Sequence, residues 1–260
     1  FGARGEGTYT FKGGIDDFRI YDRALSENEM LGLYQLERPS HSLDSLNGIA
    51  LWLDATNIDG KQNTSLPNGS NVSEWKDLSG NGNDAISLTN GSSYIVSSHS
   101  SFANKSVISF NDDTSLNSGF DIPGLFSSSP SAITGLIVFR GTKTASGERN
   151  NGMWHFGSQT TAMTHFGSDK SWNGEGYDDF AMNTRPKTVD AGIIKTNKTQ
   201  IYLINNDGSN WETFVDGTPQ LSGESGGINL ATTPTIGYMQ ANSKQHFDGQ
   251  IAEEIIFNRT

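Results

Sequence analysis

Hydrophobic and polar residues alternate along this chain in short runs broken by glycine, asparagine and serine, the pattern of strands joined by turns. The strongest run is IALWLDA, Ile49–Ala55. Further strands are expected at Val72–Lys76, Tyr94–Val96, Val107–Phe110, Ile133–Phe139, Gly152–Gly157, Ala162–Gly167 and Asp179–Asn183. The C-terminal part adds Ala191–Lys195, Gln200–Asn205, Trp211–Val215, Thr235–Tyr238 and Gln250–Asn258. Asn206-Asp207-Gly208 and Asp216-Gly217 carry hairpin chemistry, because glycine accepts the positive φ such turns need. Many short strands and almost no helix predict an all-β sandwich or barrel.

One run occurs twice. FDGQIAEEIIFNR, Phe247–Arg259, matches FKGGIDDFRIYDR, Phe11–Arg23, at Phe11/Phe247, Gly13/Gly249, Ile15/Ile251, Asp17/Glu253, Ile20/Ile256, Tyr21/Phe257 and Arg23/Arg259. The copies lie about a domain length apart, which reads as a tandem array. Residues 1–36 are then the last strands and a short helix of a preceding repeat, 37–47 a linker with Pro39 and several serines, and 48–260 the main domain. The helix is signalled by a capping box, Ser26 with Glu29, ahead of an apolar stripe of Leu25, Met30, Leu33 and Tyr34.

Composition narrows the function. The net charge is −11 over 260 residues, with a pI near 4.8. That opposes nucleic acid, which needs a basic stripe, and opposes anionic membrane surfaces. With no cysteine, disulfides and thiolate zinc sites are excluded. No apolar run reaches the ~20 residues a spanning helix requires, so membrane insertion is not expected. The 30 glycines and a mean hydropathy of −0.50 suit a strand-and-turn protein with much solvated loop.

Taken in order, ALWLDA (Ala50–Ala55), W-x-D-x-SGNGNDA (Trp75–Ala85), VISFNDD (Val107–Asp113) and LIVFR (Leu136–Arg140) resemble the laminin G-like modules of the concanavalin A-like jelly-roll superfamily. IYLINNDGSNWETFVDG (Ile201–Gly217), TIGYM (Thr235–Met239) and the closing FDGQIAEEIIFNR extend the resemblance over nearly all of 48–260. It implies a sandwich of two curved antiparallel sheets, often a calcium ion, and binding rather than catalysis. The partners expected from it are a glycan or cell-surface polysaccharide and neighbouring repeats of the same protein, in a secreted or surface setting. A spacer repeat with no small ligand, or a targeting module attached to a polysaccharide-degrading enzyme, are the alternatives.

No catalytic constellation stands out. Glu253 and Glu254 are adjacent, so on a strand they point to opposite faces and cannot form a facing acid–base pair. One is expected in solvent and one at a loop junction. His155 and His165 sit in two copies of HFGS that a hairpin could bring together. For calcium, DLSGNGND offers Asp77, Asn81, Asn83 and Asp84 as oxygen donors, with Asp112 and Asp113 after a strand. The other reading of that loop is a set of Asx turns satisfying their own backbone. For a sugar, SDKSWNGEGYDD reads as a glycine-rich loop carrying Trp172 and Tyr177, with Asn173, Asp178 and Arg185 as hydrogen-bonding groups and Trp154 as a further aromatic. Trp52 and Trp75 read as core.

Overall fold

The computed structural model describes Tyr21, Arg23, Leu25, Ser26, Glu29 and residues 47–260, apart from 89–92, 111–117, 127, 143–150, 158–164, 169–170, 179, 181–185, 191 and 240–244. For 151, 165–168, 171–175, 177, 232, 239 and 245 it describes the backbone alone. The chain divides into two compact units, 1–46 and 47–260. In the first, the capping box forms as the sequence predicts. Ser26 N donates to Glu29 Oε2 at 2.9 Å, and Glu29 N donates to Ser26 Oγ at 3.3 Å. Arg23 adds a bidentate bond to the same carboxylate and, with Ser26, holds it down at about 2. The earlier copy of the repeated run lies almost wholly outside the described residues.

The second unit is a sandwich of antiparallel strands. They run β1 (Ile49–Asp54), β2 (Glu74–Trp75), β3 (Ala85–Ser87), β4 (Tyr94–His99), β5 (Lys105–Phe110), β6 (Phe120–Asp121), β7 (Ile133–Gly141), β8 (Asn151–Gly152), β9 (Trp154–Gly157) and β10 (His165–Ser168). The remainder are β11 (Ser171–Tyr177), β12 (Lys187–Val189), β13 (Gln200–Asn206), β14 (Asn210–Val215), β15 (Thr218–Glu224), β16 (Leu230–Ile236), β17 (Tyr238–Met239), β18 (Gln245–His246) and β19 (Gly249–Phe257). An eight-stranded sheet has the order β15-β14-β13-β7-β19-β5-β4, with β1 beside β19. A five-stranded sheet, β2-β3-β6-β16-β9, and a four-stranded one, β12-β11-β10-β8, complete the structure with the small β17-β18 pair. One core cluster joins Leu51, Ile137 and Ile256 of the large sheet to Trp75, Phe120 and Trp154 of the five-stranded sheet.

The later copy of the repeated run is the centre of the large sheet. β19 pairs with β7 along its length, with β5 at its start and with β1 at its end. Phe247, Ile251 and Ile256 are fully buried. At Gly249 a Cβ would stand 2.2 Å from Arg140 O, so only glycine fits. Glu253 accepts the Trp52 indole N–H at 3.0 Å, and Arg259 Nε donates to Asn47 O at 2.6 Å. Between Ile251 and Glu253 the pairing with β7 skips a residue, leaving Ala252 as a bulge.

The structure departs from expectation in places. Ala191–Lys195 is not a strand: its described residues are turn and bend, with Gly192 at φ +78°, and the strand is β12 just before it. β15 carries Pro219 and lies at the sheet edge, where a missing N–H costs no ladder bond. The HFGS copies do not form a hairpin, since β9 pairs with β16 whereas β10 pairs with β8 and β11.

Candidate functional site

Among the described residues β1 pairs with one strand, β19, so the backbone groups of its other edge need partners from outside the sheet. The loop Asp77–Asp84 covers that edge. Asp77 Oδ1 accepts Trp52 N at 3.0 Å, Leu78 N donates to Trp52 O at 2.8 Å, and Asn81 Nδ2 donates to Ile49 O at 2.8 Å. Asn83 Nδ2 closes the row on Ala50 O at 2.9 Å. Gly80 and Gly82, at φ +84° and +76°, let the loop turn tightly enough to lay both amides along the strand.

The same bonds decide whether these residues fit calcium. Asp77 Oδ1 also accepts Ser79 N, and Oδ2 accepts Ser79 Oγ and Asn83 N, so all four acceptor positions of the carboxylate are filled from within the protein. Asp84 spends one oxygen on Asp77 N and the other on the Lys76 ammonium at 2.7 Å, a cation already in place. The Asp77 and Asp84 carboxylates are therefore spent within the protein and do not fit a calcium ion, whereas the amide oxygens of Asn81 and Asn83 are not committed in this way. Asp112 and Asp113 lie outside the described residues. Among the described residues no three acidic or histidine side chains converge as a cation site.

What the loop builds is a wall. Asn81 and Asn83 commit their N–H groups to β1, and neither amide oxygen has a partner among the described residues. Both side chains line a hollow of about 390 Å³ with Ser128, Asn258, Leu125 and Phe126. A second hollow of about 280 Å³ shares Leu125, Phe126 and Ser128 and continues along Leu230 and Pro234. No charged side chain lines either one among the described residues. Fixed amides beside a half-buried aromatic ring, without charge, can accept hydroxyl hydrogens and pack the C–H face of a neutral polyol. A third hollow, about 500 Å³, differs in character: Asp207, Glu212 and Glu224 ring it, above Trp211, which is only 6% exposed.

The aromatic candidates from the sequence come out differently. Trp172, Asn173 and Tyr177 stand on strand β11 rather than in a loop, and their side chains lie outside what is described. Arg185 also lies outside the described residues. Trp154 is fully buried, packed against Phe156, Phe180 and Tyr202 with ring centroids 5.1–5.8 Å apart, so it is core and not a binding platform. Asp178 is sealed in the same cluster. Its Oδ2 accepts Trp154 Nε1 at 3.1 Å and Tyr202 OH at 3.2 Å, and its Oδ1 accepts Phe180 N at 2.9 Å. Burial and the Asp178 charge push the Tyr202 hydroxyl well above its ordinary value. Asp178 is thus a structural anchor that no ligand in solvent can reach.

Glu253 and Glu254 do face opposite sides, but not as expected. Glu253 is on the outer face beside Asp54, and burial raises its carboxyl above the usual range. Glu254 is not at a loop junction. It lies in the core, directly opposite buried Leu53 on β1 and buried Ile137 on β7.

This architecture is an all-β jelly-roll sandwich of antiparallel strands, and solved structures share it. Domain 4 of AbnA, a GH43 extracellular arabinanase from Geobacillus stearothermophilus solved with arabinotriose, superposes with a TM-score of 0.52 at 16% identity, over 81% of this chain and 92% of that one. The binding domain of Botulinum Neurotoxin DC in complex with SialylT gives 0.53 at 13% identity, over 82% and 48%. The binding domain of Paraclostridial Mosquitocidal Protein 1 gives 0.52 at 15%, over 82% and 49%. This chain spans about half the length of the two toxin domains. At such identities the likeness is one of fold. No protein-family profile matches the chain, and no curated sequence does.

Proposed function

We propose that the chain is a non-catalytic glycan-binding module of laminin G-like type, part of a larger multidomain extracellular protein, and that its site is the uncharged groove beside β1. The observation that carries this reading is the pair of clamped amides. Asn81 and Asn83 are held by their N–H groups, so their oxygens meet a ligand in a fixed position and lose little freedom on binding. Phe126 supplies the apolar face and Asn258 and Ser128 further polar groups. Two hollows that share Leu125, Phe126 and Ser128 suit an oligosaccharide more than a single sugar. That domains of this fold are solved with arabinotriose and SialylT bound supports the class of ligand. The net charge of −11 opposes an anionic glycan, so the ligand inferred is neutral.

A panel of immobilised neutral and sialylated oligosaccharides tests it. Neutral glycans are expected to retain the protein, and Asn83→Ala to release it, while Glu212→Ala in the acidic hollow leaves retention unchanged. Retention of none, or retention unaffected by Asn83→Ala, would defeat the reading. The repeated run Phe11–Arg23 supports a second one, a spacer repeat of a tandem array, and a protein that binds no glycan on the panel would favour it.

A further inference from the structure

We propose that Glu254 makes the stability of this module a function of pH, holding the fold best in mildly acidic surroundings and working against it as pH rises. The bulge at Ala252 sets the geometry. Had β19 kept strict alternation from buried Ile251, Glu254 would fall on the outer face; the extra residue Ala252 shifts the phase and turns it inward. There its cross-strand row is Tyr202, Ile137, Glu254 and Leu53, all with no solvent exposure. Among the described residues neither carboxyl oxygen has a hydrogen-bond partner. In the earlier copy of the run the matching position holds Phe18 in place of an acid.

No neighbouring group rescues the charge. The inward residues of the strands packed on β19 are Leu51 and Leu53 on β1, Ile108 and Phe110 on β5, and Ile137 and Phe139 on β7, none of them titratable. Asp54 and Arg140 belong to the outer face with Glu253 and Gln250. Tyr202, two strands away, already donates its hydroxyl to Asp178, and the core's histidines are on β9 and β18. Burial is the sole cause acting on the Glu254 carboxyl, and it drives the proton affinity well up. Since the folded state keeps a proton that the unfolded state loses above its ordinary value of 4.5, the sign is fixed. Stability from this group is fully present below that value and falls with rising pH until the folded carboxyl itself ionises.

The test is denaturant unfolding of wild type, Glu254→Gln and Glu254→Leu across pH 5 to 8. One proton is at stake, so the ratio of the wild-type unfolding constant to that of either variant should grow about tenfold per pH unit. The two variants should run parallel to each other. Infrared spectra at neutral pH should show a protonated-carboxyl C=O band in wild type that Glu254→Gln lacks. A ratio that stays constant with pH, or the absence of that band, would overturn the proposal. If one variant fails to fold, the other and the wild-type spectrum still decide it.

Discussion

Asp178 and Glu254 are both sealed from solvent in one core, and the surroundings of each could hardly differ more. Asp178 sits among donors: an indole N–H, a phenol O–H and a backbone N–H converge on its two oxygens. Glu254 sits among Leu53 and Ile137, and no described residue donates to it. The first is a hydrogen-bonded acceptor built into the packing of Trp154, Phe180 and Tyr202, and removing it would take the acceptor from three donors. The second is a neutral acid that the packing only tolerates. Burial alone therefore says little about what a carboxyl contributes; the number of donors aimed at it sets the sign.

The largest expected effect breaks the comparison on the Asp178 side. Asp178→Ala should lower the unfolding free energy by about 3–5 kcal/mol, read from urea titration, because Trp154 Nε1, Tyr202 OH and Phe180 N lose their acceptor together. A loss under about 1 kcal/mol would mean that these bonds do not anchor the cluster. Asp77, whose carboxylate is saturated from within, should behave like Asp178 at a more exposed place. Asp77→Ala is expected to cost about 2–3 kcal/mol by freeing Trp52 N and the loop amides. The opposite sign is expected at Glu254: relative to wild type, Leu in its place should gain about 4 kcal/mol between pH 5 and pH 8, and a variant destabilised at pH 8 would show that the carboxyl has a role in packing. The smallest effect concerns calcium. With Asp77 fully bonded and Asp84 paired to Lys76, melting in EDTA and in millimolar calcium should coincide, whereas a calcium-dependent rise would place a cation site elsewhere.

The sequence made much of this sandwich legible. IALWLDA, the Asp216-Gly217 hairpin and the closing run all announce themselves through alternation or turn chemistry, and each is where the pattern put it: β1, the β14–β15 turn with Asp216 at φ +51° and Gly217 at +75°, and β19. β11 and β15 were not legible, because serine, glycine and proline gave no alternation to read and neighbouring strands impose the extended form. The Asp77–Asp84 loop was visible as a cluster of oxygen donors, but its use was not. Whether carboxylates gather a cation or amides cover a strand depends on β1 having a free edge, a property of the sheet order and not of the loop. Glu254 was hidden for a similar reason: one bulged residue, Ala252, decides which of two adjacent glutamates enters the core.

The most direct test of the proposed function is to follow the side-chain amide resonances of the asparagines by NMR while titrating a neutral oligosaccharide. Shifts concentrated on Asn81, Asn83 and Asn258, saturating together with one affinity, are the predicted result. Shifts that leave these three still while moving the Trp172 indole or the groups around Glu212 would contradict the groove as the site.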